Sequence, residues 1–141
     1  MNASEPASDL IFIYGSLLPK APRTRHHLLG PVSGLGVGYF RGRLYSLEGY
    51  PGAVASSDPA DRVLGDVYRL ENAPEALRRL DRYEGFLPDS PEDCEFVRVT
   101  TSIRLDTRAA IPAWIYLYTL SVAGLVRIEH GDYLRFLSGN K

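Results

Sequence analysis

The chain has 141 residues, 45% of them apolar, with 16 basic and 17 acidic side chains and a formal net charge of −1. That length fits one domain around one core, and charge this evenly balanced, with no basic run, argues against a nucleic-acid partner. A single cysteine, Cys94, excludes an internal disulfide, and no segment has the length or flanks of a membrane span or leader, so a cytoplasmic protein with no membrane partner is expected.

Residues 1–9 are polar and acidic and read as a flexible lead-in to a domain covering residues 10–141. Ile11-Phe12-Ile13-Tyr14 lacks polar alternation, which predicts a strand buried on both faces. It runs into Gly15-Ser16-Leu17-Leu18-Pro19, where the glycine permits a sharp turn or a close backbone approach and the proline delays any helix. Such a turn is either an ordinary loop or a cup of N–H groups able to hold a carboxylate or oxyanion. Thr24 to Leu29 predicts a short helix with Leu28 and Leu29 inward; His26 and His27, being adjacent, point apart and are expected at the surface.

Gly34-x-Gly36-x-Gly38 lacks the strand-before, helix-after setting of a dinucleotide fingerprint, so these glycines predict bulges in a curved sheet, and Tyr39 to Tyr45 reads as a strand. Glu48 to Gly52 predicts a turn, Ala53 to Ala55 a short strand and Val63 to Leu70 a longer one. The next segment predicts a helix with Asn72 as cap, Pro74 in the first turn and Glu75 in capping-box position. Leu77 and Leu80 define its inward face, Glu84 projects between them, and Gly85 ends it. A carboxylate there is either splayed outward into water or held inward, where lost hydration and the helix dipole would raise its pKa towards that of a general base. Asp81 lies on the flank of the same face, and Asp81→Asn is expected to cost far less activity than Glu84→Gln.

Pro88 to Glu95 reads as an acidic loop, Phe96 to Leu105 as a strand, Asp106 to Ala110 as a hairpin turn and Ala113 to Leu120 as an aromatic strand. Trp114, Tyr116 and Tyr118 share one face of that strand, as core or as a ligand shelf. Leu125 to Leu137 supplies Ile128 and a turn or short helix at Gly131-Asp132-Tyr133-Leu134. Many strands, two or three short helices and frequent turns predict a compact, barrel-like α+β domain. Other chemistries fail on spacing. Gly15-Ser16-Leu17 lacks the second glycine of a nucleophile elbow, Cys94 sits among acids that disfavour a thiolate, and Glu129-His130 lacks a second histidine for zinc.

Taken together, Tyr14-Gly15-Ser16-Leu17, residues 44–54 (LYSLEGYPGAV), 65–70 (GDVYRL), 80–85 (LDRYEG), Phe96-x-Arg98, 113–118 (AWIYLY) and 131–134 (GDYL) resemble, in order, the motifs of the gamma-glutamylcyclotransferase-like family, the AIG2-like fold, and especially its short bacterial members. The resemblance implies a small mixed β-barrel flanked by helices. It implies that Tyr14, Gly15, Ser16 and Leu17 cradle a γ-glutamyl group, that Tyr118 contacts it, and that Glu84 is the catalytic acid–base residue. The implied reaction closes the γ-glutamyl group to 5-oxoproline and releases an amine, with no metal and no organic cofactor. The implied partner is a small γ-glutamyl molecule. Relatives commonly carry a glycine soon after the turn, where this chain has Leu18-Pro19-Lys20. A binding module for a small metabolite or a protein, without catalysis, and a γ-glutamyl hydrolase remain alternatives on the same fold.

Overall fold

Strand β1 (Leu10–Ile13) is buried on both faces, as its unbroken apolar run predicts, because two separate cores need it. In the computed structural model, which describes residues 8–107 and 109–139, Ile11 and Ile13 join one core and Phe12, with Tyr14 just beyond, joins the other. The two-residue period of a strand therefore sends alternate side chains to opposite sides of one wall. Full burial of each such side chain stabilises the fold by about 1.5–3 kcal/mol.

The chain continues through a 3-10 turn (His26–Leu29), then β2 (Val32–Phe40), β3 (Gly42–Ser46), β4 (Pro51–Ala55), β5 (Val63–Leu70), helix α1 (Ala73–Glu84), a second 3-10 turn (Pro91–Asp93), β6 (Phe96–Leu105), β7 (Ala110–Tyr118), β8 (Val126–Ile128) and the short helix α2 (Tyr133–Leu137). A closed barrel forms in the order β1-β5-β2-β6-β7, antiparallel except where β7 meets β1 in parallel, Ile11 opposite Trp114. A second antiparallel sheet, β4-β3-β8, packs its Leu44, Ala53 and Ile128 into the core that holds Phe12, Val67, Ile103 and Ile115. Outside the barrel, Ala73, Ala76, Leu77 and Leu80 of α1 cover Ile11, Ile13, Phe96 and Tyr116. This is the α+β barrel expected from the strand-rich pattern.

Several local expectations need correction. The stretch from Tyr39 to Tyr45 is not one strand: it breaks at Arg41, where the chain leaves the barrel for the second sheet. The helix foreseen over Thr24 to Leu29 is a single 3-10 turn from His26, burying Leu29 fully and Leu28 in part. The aromatic strand starts earlier and ends earlier, at Ala110 and Tyr118. Asn72 precedes α1 but makes no side-chain cap; its Nδ2 instead donates to Glu75 Oε1 at 3.0 Å. The glycine run does bend β2, whose register on β5 slips between Gly34 and Gly36. Of the lead-in expected at residues 1–9, residues 1–7 lie outside the described residues, whereas Asp9 accepts the Leu70 N–H and Ser8 accepts Trp114 Nε1–H through their carbonyls. In the turn between β6 and β7, Arg108 also lies outside the described residues. Among the described residues, no helix is long and apolar enough to cross a membrane.

Candidate active site

Past the end of β1 the chain enters a tight turn whose carbonyls are all engaged, one within the turn and the rest by residues beyond it. Leu18 N–H closes it on the Gly15 carbonyl at 2.9 Å, and Arg25 N–H and the Thr24 hydroxyl bind the Ser16 carbonyl. His26 Nδ1–H donates to the Leu17 carbonyl at 2.9 Å, and the His26 ring stands edge-on to Tyr68. His26 is thus an anchor for the turn rather than the surface residue expected. Leu17 and Leu18 pin the turn into the core beneath α1, while Pro19 and Lys20 project outward. With the carbonyls tied back, the N–H groups of Ser16 and Leu17 find no acceptor among the described residues.

Gly15 is needed for space rather than for an unusual backbone angle. A Cβ there would sit 2.7 Å from Cγ of Pro51, the first residue of β4. Tyr14 ties the same region together: its hydroxyl donates to the Tyr116 carbonyl at 2.7 Å and accepts the Ala53 N–H at 3.2 Å. Burial, and then the nearby Glu84, push the Tyr14 phenol far above its ordinary range, so it stays a neutral hydrogen-bonding post.

Glu84 is the last residue of α1, and Gly85 closes the helix in the left-handed conformation at φ 75°. Glu84 lies against a cavity of about 230 Å³ lined also by Tyr14, Gly15, Ser16, Leu17 and Tyr116. That volume is below the roughly 300–1,000 Å³ of clefts for drug-sized ligands and suits a small metabolite group. The Glu84 carboxyl is raised from an ordinary 4.5 to about 7, by burial first and then by the negative charges of Glu95 and Asp81. Burial was expected to raise it; the two acidic neighbours were not foreseen.

Asp81 is more than a flanking residue. Arg98 grips it bidentately, Nε to Oδ1 at 2.7 Å and Nη2 to Oδ2 at 2.8 Å, and the Tyr116 hydroxyl donates to Oδ1 at 2.7 Å. The Arg98 guanidinium in turn lies over the Trp114 ring, 4.3 Å from its centre. Through Tyr116 this pair shapes the cavity wall, so its use as a mild control for Glu84 does not hold.

The structure brings Tyr14, Gly15, Ser16, Leu17 and Glu84 to one cavity, and leaves Tyr118 outside the lining. Tyr118 packs edge-on to Phe96, 5.6 Å between ring centres, and Tyr116, two residues earlier on the same face, takes the lining position. Sequence reasoning also missed Tyr50, Pro51, Tyr83 and Glu95 as lining residues, along with the apolar Phe12, Ile13 and Phe96. Tyr83 carried a local signal, since it precedes Glu84 at the exposed end of the helix; its hydroxyl lies 2.9 Å from Ser16 Oγ. Among the described residues, no three His, Cys, Asp or Glu side chains gather closely enough to hold a metal ion.

The family described as gamma-glutamyl cyclotransferase, AIG2-like matches residues 11–135, which includes every residue of this cavity. The chain belongs to that family. Among gamma-glutamylcyclotransferase family proteins, YtfP of Escherichia coli is 35% identical over 128 residues, covering 88% of this chain and 95% of its own. The solution structure of Escherichia coli YtfP superposes with a TM-score of 0.59 at 33% identity, over 89% of this chain and 96% of that one. The crystal structure of an AIG2-like protein from Mus musculus, 19% identical, superposes with a TM-score of 0.65 over 91% of this chain and 89% of its own, and so shares the fold. Within the gamma-glutamyl cyclotransferase, AIG2-like fold, the cavity lies where the barrel, α1 and the second sheet meet.

Proposed function

We propose that the protein cyclises the γ-glutamyl group of a small conjugate to 5-oxoproline and releases the attached amine. One observation carries the reading. A half-buried carboxylate with its pKa raised to about 7 shares a small cavity with a turn whose Ser16 and Leu17 N–H groups have no acceptor among the described residues.

In this reading the substrate's α-ammonium gives a proton to the Glu84 carboxylate, and the freed amine attacks the γ-carbonyl carbon. The nucleophile is already in the molecule, so holding the chain folded replaces a bimolecular encounter. The N–H groups of Ser16 and Leu17 stabilise the oxyanion as the tetrahedral centre forms. Glu84 then returns its proton to the leaving nitrogen, and as the C–N bond breaks the ring nitrogen gives up its second proton through Glu84 to the released amine, leaving neutral lactam 5-oxoproline and an ammonium. All protons are exchanged between substrate and Glu84, so the scheme asks for no cofactor. A reaction on a small soluble metabolite, and a chain whose one thiol is free and buried, support assignment to the cytoplasm.

Incubating the purified protein with a panel of γ-glutamyl amines, γ-glutamyl amino acids and glutathione, and identifying products by mass, tests the proposal. 5-Oxoproline with a stoichiometric amine supports it. Free glutamate would establish a hydrolase, and binding without any product at high protein concentration would establish a binding module.

A further inference from the structure

The charge around the cavity is one-sided. Of the described residues that line it, the ionisable ones are two glutamates and four tyrosines, with no Lys, Arg or His. Glu84 is assigned to the chemistry. Glu95 is not, and it lines the same cavity in a partly exposed position. It immediately precedes β6, and its backbone is fixed by Thr119, whose N–H and hydroxyl both donate to the Glu95 carbonyl. Its side chain is held too: the Tyr50 hydroxyl donates to Oε2 at 2.6 Å in an exposed contact, which pushes the Tyr50 phenol up to about 12. The Tyr50 ring rests on Phe96, 6.2 Å between ring centres. Oε1 of Glu95 has no partner among the described residues. The rim is therefore a rigidly placed carboxylate with one oxygen free, beside an acidic loop carrying Asp89, Glu92 and Asp93.

We infer that the Tyr50–Glu95 pair reads the departing amine, favouring a group that carries a positive charge and rejecting one that carries a carboxylate. The inference rests on the reaction proposed above. With the reacting carbonyl beside Glu84 and the turn, the leaving group extends towards the partly exposed Glu95. A cation there meets the free Oε1 and the negative field of the cavity, whereas an anion meets repulsion from Glu95 with no basic lining residue to offset it. The fitting substrate class is a γ-glutamyl conjugate of a diamine or other cationic amine.

Three ligands of matched length separate the possibilities: γ-glutamyl conjugates of 1,4-diaminobutane, of pentylamine and of 5-aminopentanoic acid, which end in a cation, a methyl group and a carboxylate. Their affinities are measured by calorimetry in the Glu84→Gln background, where turnover is slowed enough not to interfere. The expected order is cation, then neutral, then carboxylate, with steps of about fivefold, the scale of a partly exposed charge pair. Adding Glu95→Gln should collapse the order to within about twofold, whereas adding Tyr50→Phe, which keeps the charge, should preserve it. Equal affinities, a preference for the carboxylate, or no binding of any of the three would overturn the inference. So would an equal loss for all three in Glu95→Gln, because Glu95 would then hold the shared glutamyl ammonium. Turnover by the parent protein is read separately: absence of 5-oxoproline from every ligand refutes the proposed reaction, while the order of affinities judges the rim.

Discussion

Glu84 does at one position what the proposed chemistry requires, and the requirement can be read as a rate against pH. A base raised to about 7 is protonated below that value and lost as an acceptor. The kcat/KM for a γ-glutamyl conjugate should therefore rise with pH through an apparent pKa near 7. Glu84→Gln keeps the shape and removes the base, and turnover should fall by about a hundredfold or more, with circular dichroism unchanged. Parental rates in that variant would remove Glu84 from the mechanism. Gly15 and Ser16 make a contrasting pair. A Cβ on Gly15 meets the Pro51 ring, which cannot swing aside as a long side chain would, so the turn or β4 must move. Displacing a positioning backbone by a fraction of an ångström is expected to lower kcat/KM by about tenfold or more in Gly15→Ala. Ser16→Ala loses only the exposed contact with Tyr83 and should stay within about threefold of the parent. A dead Ser16→Ala beside a healthy Gly15→Ala would instead indicate serine chemistry.

At the scale of elements, α1 is joined to the barrel wall by more than its apolar stripe. The Asp81–Arg98 pair links it to β6, and the Tyr116 hydroxyl adds β7. Both charged side chains are largely buried, 13% and 15% exposed. Asp81→Asn leaves the guanidinium without its counter-charge, which should cost about 3–5 kcal/mol of unfolding free energy. Urea titration would show it, and Asp81→Asn with Arg98→Met should recover part of the loss because no orphaned charge remains. A loss below about 0.5 kcal/mol would mean that water already screens the pair. This network was not legible in the sequence, since residues 81, 98 and 116 share no local pattern. Strands β5 and β6 are legible to the residue because β-branched and aromatic residues fill them between clear turn signals. Glu84 is legible as well, because a helix of known phase makes the direction of each side chain a matter of angle. Tyr50, Pro51 and Glu95 are different: they arrive from separate elements, and only the closed barrel reveals that they share a cavity with Glu84.

For the whole molecule, the cavity stands at a seam, and two acids with opposite pKa shifts govern how the fold responds to pH. Asp61 binds the second sheet together, accepting Arg43 Nε of β3 at 2.7 Å, Arg127 Nη2 of β8 at 2.8 Å and the Ser56 hydroxyl at 2.6 Å. The Ser56 hydroxyl and Arg43 hold its carboxyl well below the usual carboxylate range. The unfolded chain therefore takes up a proton at Asp61 before the folded one does, and the stability this network supplies is present above about pH 4 and lost as pH falls. Glu84 acts in the other direction. Raised from 4.5 to about 7, it holds its proton longer in the folded state, so stability falls as pH climbs between those values. The gap of about 2.5 units corresponds to a loss of about 3 kcal/mol once both states are ionised. Glu84→Gln removes that dependence without disturbing Asp61. Thermal midpoints of parent and variant should nearly coincide at pH 4, separate progressively through pH 5 to 7, and differ by about 6–12 °C at pH 8, with the variant higher. Asp61→Asn should show the reverse trend, its deficit greatest at neutral pH and shrinking towards acid. If Glu84→Gln were no more stable than the parent at pH 8, Glu84 would be a hydrated residue at the end of a helix, and its place as a desolvated base would be lost together with the mechanism built on it.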